Sequence, residues 1–270
     1  MDEAKKDLLK VLGIILALFI LWIFLADTEK EQPLIKTMDD AETIKGSEND
    51  VPKNQPEIYL GSIYNSRKSN VQEEYVEIMA DSQNKESINI SYWSLGNQNG
   101  IKINLGQSVK IYHSGQINYK QDIILAPGEK IIVITGQSPL GTNFQVNKCS
   151  GYLGELQNFI PKLSSDCPEI FDPNRIPIGI DDDCIKYLER NTRNCQTYYS
   201  FPPELSGACV DYLNRKANYE GCVNGHQNDP DFLNPEYRIY LNQIKELWND
   251  ENNKIILFDQ NGKTIDSKAY

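Results

Sequence analysis

Hydrophobic and polar positions alternate in short runs over much of the chain and again at its end. Glu74-Tyr75-Val76-Glu77-Ile78 alternates cleanly, as does Ile88-Asn89-Ile90-Ser91-Tyr92 ahead of Trp93 and Leu95. Ile58-Tyr59-Leu60 precedes them, and Ile101-Lys102-Ile103, Val109-Lys110-Ile111-Tyr112, Ile123-Ile124-Leu125 and Ile131-Ile132-Val133-Ile134 follow. Gly96, Asn99-Gly100, Ser114-Gly115 and Pro127-Gly128 punctuate the series. Short segments of this kind with turn residues between them predict a sandwich or barrel. Ile255-Ile256-Leu257-Phe258, then Asp259 to Lys263, then Thr264-Ile265 predict a closing hairpin around Asn261-Gly262. A lone hairpin is marginal in water, so this one is expected to return to the sheets formed by residues 58–148.

Between the two β portions, residues 149–250 change period. Asp181-Asp182-Asp183 is placed to cap a helix running through Cys184 to Glu189. Pro202-Pro203-Glu204 is expected to open another, with Leu205, Cys209, Tyr212 and Leu213 on one face. Ile239, Tyr240, Ile244, Leu247 and Trp248 fall at helical spacing and predict a third helix over 237–248. The expected organisation is a largely helical insertion within one β domain that comprises 58–148 and 251–270.

The N-terminal pattern is of a different kind. Val11 to Ala26 is sixteen apolar residues without a charge, and Leu8, Leu9 and a snorkelling Lys10 extend the stretch to 8–26. That length approaches the roughly 20 residues that cross a bilayer core. Bulky Phe24 stands where a cleavage site wants a small residue, so the segment reads as an uncleaved transmembrane anchor rather than a signal peptide. Lys5, Lys6 and Lys10 before the span put residues 1–7 in the cytoplasm and the rest outside the cell membrane. Residues 27–57 carry thirteen charged side chains and three prolines, the composition of a flexible stalk.

Composition narrows the function classes. With 27 basic against 38 acidic residues the net charge is −11, which repels nucleic acid. Two histidines, His113 and His226, leave little for imidazole catalysis or a His-rich metal site. Six cysteines, Cys149, Cys167, Cys184, Cys195, Cys209 and Cys222, lie beyond the span with no C-x-x-C among them, a pattern suited to three disulfides in an oxidising compartment. Fifteen pairings are possible. A helix ending a few residues past Cys184 lets Cys195 return to it, and Cys222 returns to Cys209 by the same reach argument. Local bridges Cys149–Cys167, Cys184–Cys195 and Cys209–Cys222 are therefore expected, with Cys195–Cys209 as the main rival.

Taken together, the strand Glu74-Tyr75-Val76-Glu77-Ile78, the segment Ile90-Ser91-Tyr92-Trp93-Ser94-Leu95, the turn Leu125-Ala126-Pro127-Gly128-Glu129 and the closing Ile255 to Gly262 with Ile265-Asp266 and Tyr270 resemble the lamin tail domain. The match covers about 58–148 and 251–270. It implies a mainly β, immunoglobulin-like sandwich with no catalytic residues and no cofactor. Anchor and cysteines look like the bacterial cell-surface members rather than nuclear lamins, and 149–250 looks like the cysteine-containing insertion of some of them.

Motifs that might carry chemistry have plainer structural readings. Gly136-Gln137-Ser138-Pro139-Leu140-Gly141 has the wrong spacing for a nucleophile elbow and is expected to be a turn. Asp181–Asp183 lacks the glycine and glutamate of a calcium loop. Asp166, Asp172, Asp229 and Asp231 lie in proline-containing loops, and His226 has no histidine near it. Glu74 and Glu77 are three apart on a strand and point to opposite faces. Fifteen tyrosines, several in the insertion, are expected mainly to pack, with a contact surface for protein or glycan as the functional reading. The function expected is a non-catalytic, membrane-anchored extracytoplasmic binding or scaffold module; the alternative is a hydrolase or accessory subunit with an acidic site in the insertion.

Overall fold

The computed structural model describes residues 57–64, 70–172, 176–192, 194–248 and 254–269. The expected anchor at 8–26 and nearly all of the stalk lie outside them; no helix among the described residues is long and apolar enough to cross a membrane.

Alternation places most of the first strands close to where the pattern puts them, although β6 keeps only Val109 of the expected 109–112 segment and β7 is not foreseen: β1 (Ile58–Tyr64), β2 (Tyr75–Ala80), β3 (Ile88–Asn89), β4 (Ser94–Asn97), β5 (Lys102–Asn104), β6 (Ser108–Val109), β7 (Lys120–Gln121), β8 (Ile124–Leu125) and β9 (Lys130–Ile134). Three further strands follow from Phe144 onward before the last: β10 (Phe144–Asn147), β11 (Leu233–Tyr240) and β12 (Lys254–Phe258), then β13 (Thr264–Ala269). A seven-stranded sheet has the order β1-β2-β9-β11-β10-β6-β7, a four-stranded one β13-β12-β4-β5, and β3 pairs with β8. The closing hairpin does return, because β12 pairs antiparallel with β4 from Ile255↔Asn97 to Phe258↔Ser94. Its turn is set by Asp259, whose side chain accepts the N–H groups of Asn261 and Lys263, and by Gly262 at φ 80°.

The two larger sheets share one core. Val76 and Ile78 of β2, Ile131 and Val133 of β9 and Ile239 of β11 meet Leu95, Ile255 and Leu257 of the four-stranded sheet. The seven-stranded sheet is apolar on its other face too: Ile132, Ile134, Phe144, Val146 and Tyr240 pack under Tyr152, Leu153, Phe159, Tyr219 and Val223 of the insertion. Residues 131–134 are therefore an unbroken apolar run, as strands covered on both faces are.

That double burial also explains a correction. Residues 237–248 are not a helix: β11 runs parallel to β9 from Glu236↔Lys130 to Tyr240↔Ile134 and antiparallel to β10. Tyr237 and Ile239 face one core while Tyr240 faces the other, so apolar positions stop alternating and imitate helical spacing. Ile244, the central residue of the expected helical face, is 84% exposed, whereas Leu247 and Trp248 close the sandwich core. The helical segment occupies the shorter connection between β10 and β11. Its neck is narrow: Lys148 donates its N–H to Phe232 O, and its ammonium meets Asp229 at 3.1 Å and Asp231 at 2.5 Å.

Four helices follow the neck, α1 (Gly151–Leu156), α2 (Asp182–Asn191), α3 (Gly207–Lys216) and α4 (Tyr219–His226). Asp181 caps α2 by accepting the Cys184 N–H at 2.8 Å, in the place expected. Helix α3 starts later than Pro202-Pro203-Glu204 because Ser206 is its cap, but Cys209, Tyr212 and Leu213 form its buried face. Helix α4, capped by Asn218, is not foreseen by the sequence reading, whose helical criteria its Gly221 and Gly225 weaken.

All six cysteines pair, but none with its expected partner. Cys149–Cys222 closes the neck, Cys167–Cys195 ties two loop segments, and Cys184–Cys209 joins α2 to α3. The rival Cys195–Cys209 is not formed either. Chain reach permits local bridges but does not choose them. Cys184 and Cys209 lie on the buried faces of facing helices, packed with Leu188 and Leu213 in a small core of their own. Cys195 is drawn to the 164–167 segment by its N–H bond to Ser165 O.

Candidate functional site

Each large sheet has two edges, and the two sides of the sandwich treat them differently. On one side β1 and β13 close together: Leu60 donates its N–H to Asp266 Oδ2 at 2.7 Å, and Lys268 Nζ donates to Gly61 O at 2.6 Å. On the other side the edge strands β5 and β7 leave a groove of about 600 Å³ between them. Its walls include Tyr92, Lys102, Asn104, Gln107, Lys120 and Asp259.

The sequence builds this wall from short polar strands. Both β5 and β7 have exposed polar positions, a pattern that guards a sheet edge against pairing with another chain. Asn104 is oriented by Ser94, whose hydroxyl donates to Asn104 Oδ1 at 2.7 Å. Lys102 lies 4.4 Å over the Phe258 ring, which holds the lysine stem along the β12 end. Behind the groove, Asp122 accepts from Gln107 Nε2 and Asn89 Nδ2, both at 2.8 Å. The Gln107 bond foremost, and then the Asn89 bond, hold its carboxyl below the usual carboxylate range, so it stays ionised at neutral pH. Asp122 also lines a second depression, of about 320 Å³, with Lys110, Glu129 and Tyr237. Burial pushes the Tyr237 phenol up to about 12, so it remains a protonated donor.

The Tyr92 ring is 60% exposed beside this set of amides and hydroxyls. Side-chain amides pair well with vicinal hydroxyls, and an exposed phenol ring offers a flat face for C–H groups. Lys102 and Lys120 in the wall are balanced by Asp259 and by Asp122 behind it, so the arrangement suits a neutral polyol better than a phosphate.

The other groups singled out by the sequence have structural work. Glu74 is fully buried and accepts the N–H groups of Leu247 and Trp248, both at 3.0 Å, while Glu77 faces the opposite side of the sheet, 3.7 Å from Lys130. The two do not meet, in keeping with strand parity. Ser138 accepts no role in a charge-relay set; it donates to Thr142 O within a turn that Gly141 completes at φ 72°. Asp183 pairs with Lys186 in the exposed first turn of α2. His113 meets Glu220 at 3.2 Å and His226 meets Asp229 at 3.0 Å, each tying a loop to α4 or its exit. Among the described residues no group of three or more His, Cys, Asp or Glu side chains is arranged to hold a metal ion.

Most insertion tyrosines pack: Tyr152, Tyr212 and Tyr219 are buried, and Tyr187 and Tyr198 join Phe201 in an aromatic cluster. Tyr199 of the insertion is exposed, and two further exposed rings, Tyr92 and Tyr119, lie beside polar edges in the β portion, outside the expected contact surface. Their signal was a large aromatic among polar residues near an edge strand.

Comparison with models of protein families and with curated proteins finds no match to this chain.

Proposed function

We propose that the protein is a non-catalytic binding module held at the outer face of a cell membrane by residues 8–26, its sandwich of the lamin-tail, immunoglobulin-like kind. The observation that carries this reading is the pairing of all six cysteines in three disulfides, with no free thiol left. Reducing compartments do not maintain three such bridges, whereas extracytoplasmic ones do. The charge of −11 argues against nucleic acid as partner.

The groove between β5 and β7 is the proposed binding face, and its ligand class is a neutral glycan. Hydroxyl and amide groups dominate its wall, and Tyr92 supplies the ring for stacking. The test uses the full chain in detergent against an array of neutral and acidic glycans and immobilised surface proteins. Binding of a neutral glycan, weakened about tenfold or more by Tyr92→Ala or by Gln260→Ala, an exposed position in the same wall, at unchanged melting temperature, supports the assignment. Binding that leaves both variants unaffected, or capture of a protein alone, overturns it.

A further inference from the structure

A second pocket differs from the groove in both place and charge. It opens at the seam where the insertion's 160–166 segment crosses the outer face of the seven-stranded sheet, and it has a volume of about 390 Å³. The sheet contributes Lys130, Glu236 and Arg238, and the insertion contributes Lys162, Leu163 and Ser164.

Arg238 is the anchor. Its side chain is 3% exposed, yet it forms part of the pocket wall. Nε donates to Glu236 Oε1 at 2.6 Å and Nη1 to Pro161 O at 2.6 Å, which fixes the plane of the guanidinium. A planar fork held this way by two of its N–H groups presents the others to a further acceptor. Lys130 sits 3.2 Å from Glu236 and 3.7 Å from Glu77, so its charge is shared with carboxylates. Lys162 is exposed on the rim and, among the described residues, forms no ion pair.

The charges decide the ligand class. Three cations, Lys130, Lys162 and Arg238, face one carboxylate in the wall, Glu236, and a second, Glu77, just outside it. The balance is therefore +1 to +2 in a chain whose total is −11. A monoanion neutralises that excess, whereas a dianion must be desolvated beside two fixed carboxylates. We propose that this seam binds the carboxylate of a compact ligand, with Arg238 and Lys162 as its charge partners; the Ser164 hydroxyl beside them is already given to Asp166 Oδ2 at 3.2 Å. Leu163, Val146 and Pro235 supply apolar wall for the rest of the molecule. Because its two sides come from different elements, a bound ligand also pins the insertion to the sheet.

The experiment is calorimetric titration of the full chain in detergent at low salt. The probes are acetate as the bare group, glucuronate and N-acetylglycine as its sugar and peptide sources, sulfate as the dianion and glucose as the neutral control. The expected result is that glucuronate or N-acetylglycine binds and that whichever binds raises the melting temperature. Lys162→Ala should weaken that binding about tenfold, with the melting temperature of the free protein unchanged. Lys162 is an exposed position, so loss of fold does not confuse the outcome. Failure of all three carboxylates to bind, equal affinity for glucose, tighter binding of sulfate, or affinity unchanged by Lys162→Ala would each overturn the proposal. Tyr92→Ala, which tests the other groove, should leave this titration unaltered.

Discussion

Gly151 opens α1 with its α-carbon against the Cys167–Cys195 bridge, and a Cβ built there would lie 2.1 Å from Cys195 Sγ and 2.4 Å from Ser164 O. Neither neighbour is the free end of a flexible chain, so Gly151→Ala forces the backbone apart and should destabilise by about 1–3 kcal/mol. Helix α4 offers an internal comparison. A Cβ at Gly221 would stand 2.1 Å from Arg215 O at the close approach of α3, whereas one at exposed Gly225 meets nothing. Gly221→Ala should therefore lower the melting temperature, and Gly225→Ala should raise it through helix propensity, by up to about 1 kcal/mol. Equal effects of the two in thermal unfolding would contradict the packing of α3 on α4.

Glu74 and the neck aspartates give stability opposite pH dependences. Desolvation by burial raises the Glu74 pKa above its ordinary 4.5, despite the two N–H groups it accepts. The native state then binds more protons than the unfolded one from about pH 4.5 up to the raised value, so this group's contribution falls as pH rises through that window. Asp229 is shifted down, first by His226 and then by Lys148, and Asp231 is shifted down by Lys148. Their contribution is present above the ordinary 3.8 and is lost as pH falls through the lowered values. Glu74→Gln should remove the upper slope and cost about 1–3 kcal/mol, since one of the two N–H groups loses its acceptor. Denaturant midpoints measured across this range read both effects. A slope above pH 4.5 identical in wild type and variant would refute the assignment.

At the scale of elements, legibility followed solvent exposure. Strands with one wet face, such as β2, wrote their positions plainly as alternation, and the β12–β13 hairpin did so through Asp259 and Gly262. Where both faces are dry the code collapses to an apolar run, which serves β9 but misleads for β11 because tyrosines there fall three apart. Disulfide choice was less legible still, since pairing depends on which helix faces meet. The groove residues left no period at all: Asn104 and Gln107 become a wall only when β5 and β7 are brought to facing edges. The position of β11 has a direct consequence. Replacing 149–231 with a short linker keeps β11 between β9 and β10, at small closure cost, and should leave a folded domain. It should also be less soluble, because Ile132, Ile134, Phe144 and Tyr240 lose their cover. Replacing 149–250 removes the central strand together with Leu247 and Trp248, and circular dichroism should then show no cooperative unfolding. Cooperative folding of the longer deletion would show that β11 is dispensable to the sheet.

For the whole molecule, the state of the cysteines links the fold of the insertion to the proposed compartment. The bridges close loops of 73, 28 and 25 residues, and on the chain-entropy model they remove about 4.5 kcal/mol of unfolded-state freedom for the first and about 3.5 kcal/mol for each of the others. The Cys149–Cys222 bridge has the largest loop and sits at the neck, so Cys149→Ser with Cys222→Ser should loosen the insertion before the sandwich. Hydrogen exchange then rises in α1 to α4 while β2 and β9 stay protected. The compartment and the pairing are read together by one experiment. Intact cells are treated with protease, or spheroplasts where an outer layer intervenes, and protein recovered under alkylating conditions is mapped without reduction. Cleavage should leave only a short N-terminal stub in the membrane, and peptides should appear linking Cys149 with Cys222, Cys167 with Cys195 and Cys184 with Cys209. A Cys184–Cys195 peptide would reinstate local pairing and break the α2–α3 junction. Six alkylated thiols with a protease-resistant domain would place the chain inside the cell, and the outer-face reading would fall with them.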